Sequence, residues 1–224
     1  MLKALIFDFD GVIVHSEPVH FLQFQRVLAE EGVAVSRAEY DAVYLGMTDR
    51  DCFITALERS GRTWSETLVN ELIDRKTVYY QACRAQLAPL PGVETFVRRA
   101  AAHLPVAIGS GALRDDIDWV LTNLRLRDCF RVVVSAEDYE RGKPDPECFL
   151  LTLARLNEGL GEPVAPGECL VIEDGRHGVT AAHAAGMCCL ALTTSYTAAE
   201  LAAADLVVPT LEGLDPIALA QQLE

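Results

Sequence analysis

The sequence predicts an α/β protein: a doubly wound parallel sheet interrupted once by an all-helical insert. Short β-rich runs recur along the chain at 4–8, 106–110, 132–136, 170–174, 189–193 and 206–209. Most are nearly continuous apolar stretches, as strands covered on both faces require. Amphipathic stretches of helical length separate them, except between the first and second runs, where no strand pattern is found. The alternation of strand and helix implies right-handed crossovers and a Rossmann-like sheet.

Taken in order, residues 4–8 read A-L-I-F-D, an apolar strand closed by Asp8. Residues 15–88 then break the rhythm. Helical periodicity runs through 19–31, 49–60 and 64–87, and in the last of these Leu68, Leu72, Ile73, Thr77 and Tyr80 share one face. Pro89 and Pro91-Gly92 mark the return to the main domain. The α/β core is therefore expected at 1–14 with 89–224, and the helical insert at 15–88. After the insert the predicted helices are 93–103, 115–124, 146–156 and 179–186, each leading into a strand, and the alanine-rich stretch 198–204 is expected to form a short helix.

Composition narrows the function. The chain has 224 residues, 50% hydrophobic and 23% charged, enough for one large domain with an insert. Its net charge is -14. Nucleic acid and anionic membranes need clustered Lys and Arg, so neither is an expected partner. A phosphate site on so acidic a protein must carry its own local positive charge. The seven cysteines include no C-x-x-C, and Cys188 and Cys189 are neighbours, which fits reduced thiols better than a disulfide framework. The five histidines lack zinc-site spacing. The first apolar run reaches Asp8 and Asp10 too soon for a secretory signal, and no run approaches the ~20 residues of a membrane span. A cytoplasmic protein is expected.

The chemistry gathers at strand ends, where open parallel sheets bind their ligands. Asp8 closes the first strand, with Asp10 two residues on; Ser110 closes the second; Glu173 and Asp174 close the fourth; Lys143 follows the third in R-G-K-P-D-P. Any one of these acids, Asp174 included, has the alternative of capping the next helix. The whole set in phase with the strands points instead to one site. Carboxylates gathered there need a cation, and oxygen donors without His or Cys favour Mg2+. Phosphoryl transfer rests on positioning and charge stabilisation, which such a site supplies. Of the two aspartates, one is placed to attack phosphorus and the other to move protons at the leaving oxygen.

Four stretches carry a resemblance: F-D-F-D-G-V-I at 7–13, I-G-S-G at 108–111, G-K-P-D-P at 142–146 and V-I-E-D-G-R-H-G-V at 171–179. In this order they resemble the haloacid dehalogenase superfamily, in its phosphatase and β-phosphoglucomutase-like branch with a helical cap. The resemblance implies that Asp8 forms an aspartyl-phosphate and that Asp10 is the general acid/base, its main-chain carbonyl binding Mg2+. It implies that Ser110 and Lys143 hold the phosphoryl group, and that Glu173 and Asp174 bind metal with Asp8. Gly11 and Gly111, in the same motifs, are expected at the substrate. The presence of Asp10 argues for phosphate chemistry over dehalogenation.

In this branch the cap reads the leaving group. Candidate cap and hinge residues are Ser16, Glu17, His20, Thr48, Asp49, Arg50, Arg75 and Lys76, with Arg114 after the second strand. Lys76 reads either as a substrate contact or as an exposed helix charge, and His20 either as a functional or as a packed histidine. Asp49 stands where the mutase pattern has arginine, with Arg50 shifted by one, and Leu113 where it has lysine. Both departures remove positive charge from a second phosphate subsite. The expectation is therefore a monomeric, Mg2+-dependent phosphatase acting on a small phosphorylated metabolite such as a sugar phosphate or a phosphoglycolate-like compound. A sugar phosphomutase is the alternative, and a silent binding protein on the same fold a further one.

Overall fold

The computed structural model describes residues 2–222. The chain divides into two compact units, one comprising the chain up to His15 and from Ala88 onward, the other Ser16–Leu87.

The first unit is built on a parallel sheet of strands β1 (Ala4–Phe7), β2 (Val106–Gly109), β3 (Val132–Val134), β4 (Cys169–Glu173), β5 (Cys188–Leu192) and β6 (Leu206–Val208). Their spatial order is β3-β2-β1-β4-β5-β6, with all pairings parallel. Leu5 lies opposite Val106 on one side and Leu170 on the other. Alternation along β1 serves both faces. Ala4 and Ile6 join a cluster with Phe149, Leu153, Val171 and Val179. Phe7 instead meets Phe96 and Phe130 edge-on, with ring centroids 6.1 and 5.8 Å apart. Helices α5 (Val93–Ala101), α6 (Arg114–Asn123), α7 (Glu147–Glu158), α8 (Arg176–Ala184) and α9 (Pro216–Gln222) complete this unit. The strand order reverses at β1, so the carboxyl end of β1 is the topological switch point.

The Ser16–Leu87 unit is helical: α1 (Glu17–Glu30), α2 (Arg37–Glu39) running into a π-helical turn at Tyr40–Tyr44, α3 (Asp49–Arg59) and α4 (Glu66–Cys83). Thr48 and Ser65 cap α3 and α4 by accepting from the N–H groups of Asp51 and Leu68. Phe24 anchors the unit's interior, with Tyr44 and Phe53 centroids 5.2 and 5.1 Å from its own.

Three details differ from the sequence reading. The buried stripe of α4 is Val69, Leu72, Lys76 and Tyr80, while Leu68, Ile73 and Thr77 are half-buried. Residues 198–204 form turns, not a helix. Thr197 caps the first turn through Glu200, Leu201 is buried and its carbonyl accepts from the Ala204 N–H, and the chain enters β6 at Leu206 before these turns can extend into a helix. Helix α8 begins at Arg176, earlier than its apolar periodicity suggests, because three consecutive polar or small residues open it.

Candidate active site

The residues at the carboxyl ends of β1 and β4 converge. The Asp8 N–H donates to the Ile172 carbonyl at 2.9 Å, which ties the end of β1 to β4. One oxygen each from Asp8, Glu173 and Asp174 lies within 4.8 Å of the others, and all three residues are buried. Lys143 Nζ reaches in between them, 3.0 Å from Asp8 Oδ1 and 2.8 Å from Glu173 Oε1. Its ammonium also sits 4.7 Å from the Phe149 ring centroid. The loop that carries Lys143 is closed by Glu147, which accepts from the N–H groups of Glu140 and Arg141 and from the Arg141 guanidinium.

Each carboxylate is fixed differently. Glu173 Oε2 accepts from the N–H groups of Asp174 and Gly175 at 2.7 Å each, so this side chain folds back onto its own loop while Oε1 holds Lys143. Gly178 makes that fold possible: a Cβ there would lie 1.8 Å from Glu173 Oε1. Gly175 stands at the N-cap position of α8, and Asp174 Oδ2 accepts a short hydrogen bond from the Ser195 hydroxyl. Gly11, at φ +70°, leaves the room Asp174 occupies, since a Cβ there would lie 1.8 Å from Asp174 Oδ2. Ser110 is pinned through its N–H to the Val134 carbonyl at 3.0 Å, and its Oγ accepts from the Ala112 N–H at 3.2 Å.

The electrostatics follow from this crowding. Burial pushes the Asp8 carboxyl up to about 6, helped by Glu173 and Asp10 and opposed by Lys143 and the Ser110 hydroxyl. Burial works against the charge on Lys143, but Asp8 and Glu173 hold its pKa well above the ordinary lysine value. Three carboxylates facing one ammonium leave two negative charges to be balanced. An oxygen-ligand divalent cation fits that donor set in charge and in chemistry. The Asp10 carboxylate is not a member of the cluster of three.

Gly111 follows Ser110 in the loop after β2. Lys76 is not an exposed helix charge: it is 3% exposed, hydrogen-bonded to Asp49, with Nζ 3.0 Å from His20 Nδ1. His20 is packed, its ring stacked on Tyr80 at 4.4 Å. Arg50 forms an exposed pair with Glu66 at 2.6 Å. Arg75 bridges Glu30 and Glu31 at 3.0 and 2.5 Å. Arg114 pairs with Asp138 at 2.5 Å, which Arg155 also meets at 2.8 Å. The sequence reading passed over Ser195, although its position just past the end of β5 was a usable signal. All seven cysteines are free thiols. Among the described residues no helix is long and apolar enough to cross a membrane.

The chain also has recognisable relatives among known proteins. A family model of haloacid dehalogenase-like hydrolases matches residues 2–186. Protein CbbY of Rhodobacter capsulatus is 31% identical over 219 residues, covering 94% of this chain and 94% of that protein. Fructose-1-phosphate phosphatase YqaB of Escherichia coli is 30% identical over 197 residues, covering 82% of this chain and 93% of that protein. The crystal structure of a β-phosphoglucomutase from Clostridium difficile superposes with a TM-score of 0.85 at 24% identity, covering 100% of this chain and 97% of that one, a likeness of fold. The sheet, its helical insert and the span of the family match lead to one conclusion: the chain belongs to the haloacid dehalogenase-like hydrolases.

Proposed function

We propose that the protein is an Mg2+-dependent phosphatase that hydrolyses a small phosphate monoester through an aspartyl-phosphate on Asp8. The observation that carries this reading is the buried Asp8 carboxylate at the switch point of the sheet, 3.0 Å from Lys143 and grouped with Glu173 and Asp174. In the first step an Asp8 carboxylate oxygen attacks phosphorus and the bond to the leaving oxygen breaks, with Asp10 giving that oxygen its proton. In the second, Asp10 takes a proton from water, the water oxygen attacks phosphorus, and the bond to Asp8 breaks to release phosphate. Lys143 neutralises charge on Asp8 and on the phosphoryl oxygens, and Ser110 donates to one of them. Mg2+ held by Asp8, Asp174, Glu173 and the Asp10 carbonyl supplies further charge neutralisation of the phosphoryl group.

Substrates of the sugar phosphate or phosphoglycolate type are favoured over a second phosphate-bearing ligand. The arginines that the sequence offered near a second phosphate are already paired: Arg50 with Glu66 and Arg114 with Asp138. The same pairing counts against the mutase alternative. In this reading Ser16–Leu87 is the cap that discriminates leaving groups.

The test is a screen of sugar phosphates, phosphoglycolate and nucleotide monophosphates with Mg2+. Phosphate release is expected for at least one class, to be abolished by EDTA, and to fall on the order of 10³-fold in Asp8→Asn. Near-normal turnover in that variant would overturn the mechanism. β-Glucose 1-phosphate with a catalytic bisphosphate separates the alternative: rapid glucose 6-phosphate with little free phosphate would make the protein a mutase.

A further inference from the structure

Between β3 and Lys143 runs the segment 135–142, to which the chemistry above gives no task. Its middle is anchored firmly. Asp138 accepts from the Ser135 N–H and hydroxyl at 2.8 and 2.9 Å and pairs with Arg114 and Arg155, contacts that hold its carboxyl below the ordinary aspartate value in spite of burial. The next residue, Tyr139, is therefore presented from a fixed base. Its hydroxyl donates to the Ser110 carbonyl at 3.2 Å. It also lies alongside Gly111, since a Cβ on that glycine would come 3.6 Å from the Tyr139 oxygen. The buried thiol of Cys148, in the first turn of α7, bears on the same hydroxyl.

We propose that Tyr139 is a positioning residue for the loop that grips the phosphoryl group, an inference that rests on the phosphatase reading. A peptide unit is planar and trans, so its C=O and the following N–H point in opposite directions. By holding the Ser110 carbonyl, Tyr139 sets the plane of the Ser110–Gly111 peptide and thereby the direction of the Gly111 N–H. The Ala112 N–H meanwhile donates to Ser110 Oγ, so the Ser110 hydroxyl keeps its own proton to donate. Two donors, one backbone and one side chain, are thus aimed at the place where phosphoryl charge develops. Preset donors lower the barrier because no reorganisation is needed at the moment of reaction. A phenylalanine would fill the same volume, so the hydroxyl alone carries the role.

The decisive variant is Tyr139→Phe, assayed with Mg2+ on p-nitrophenyl phosphate and by binding of orthovanadate, a mimic of the transferring group. The expected result is a kcat lower by about tenfold with KM within about twofold, vanadate binding weaker by a similar factor, and an unchanged Tm. Cys148→Ala, which leaves the Tyr139 hydroxyl on Ser110, is expected to keep both kcat and vanadate binding close to the parent protein. The proposal is overturned if Tyr139→Phe matches the parent in kcat and vanadate affinity, if its losses come with a parallel fall in Tm, or if Cys148→Ala reproduces them. Should the parent protein hydrolyse no monoester at all, it is the phosphatase reading that falls, and the vanadate comparison still decides the role of Tyr139.

Discussion

At the scale of single residues, the acidic pair at the end of β4 divides its work. Glu173 holds Lys143 through one oxygen and its own loop through the other, while Asp174 turns toward Gly11 and Ser195. Ser195 acts on a proposed metal ligand through one hydrogen bond. Such partners orient the carboxylate and raise affinity for the ion. Ser195→Ala is therefore expected to weaken Mg2+ binding by about tenfold, read by calorimetry, with the fold and Tm preserved. Binding equal to the parent protein would leave Ser195 without that part. Residues at strand ends were legible because the period of an apolar strand marks its own terminus. Ser195 was less so, because the reach of a side chain in a loop depends on a turn that no periodicity describes. The burial of Lys76 was legible in principle: positions 69, 72, 76 and 80 lie on one helical face, but a lysine among them was weighed as surface.

At the scale of elements, the turn after β1 shows why a short motif requires its glycine. Gly11 combines a left-handed φ of +70° with a side that faces Asp174 directly. Gly11→Ala is expected to cost roughly 1–2 kcal/mol from backbone conformation alone. The methyl group also has to displace the Asp174 carboxylate. Activity should fall much further than stability, and Mg2+ affinity with it; a variant that lost only Tm would contradict this account. Strand positions could be read to within a residue or so, since each strand is covered on both faces and little else in the chain is so continuously apolar. The turns at 198–204 were misread for a related reason. Alanine favours helix locally, but a segment of that length fixed at Leu201 and then drawn into β6 completes no more than isolated turns.

At the scale of the whole molecule, a net charge of -14 surrounds a site proposed to receive an anion. Long-range repulsion slows the approach of such a substrate, and salt screens it. Raising NaCl from about 10 to 150 mM is expected to increase kcat/KM by roughly twofold while kcat stays level; a fall with salt would mean that a local basic patch steers binding instead. Composition made this charge plain, but not its distribution around the site. The family likeness reached the core because the core is written in strand-end motifs. It reached the insert less well, where Arg50, Arg75 and Lys76 each found a carboxylate partner far away in sequence.

The order of the strands has one more consequence. β1, which runs directly into Asp8, and β4, which ends in Glu173, are neighbours in the middle of the sheet, paired on both sides, while β3 and β6 form its edges. Backbone amides in such central strands are released to solvent only when the entire cooperative unit opens. The proposed nucleophile and the anchor of its lysine thus ride on the last part of the chain to fray. Thermal breathing at the edges of the sheet leaves their spacing untouched, and the loss of that spacing coincides with global unfolding.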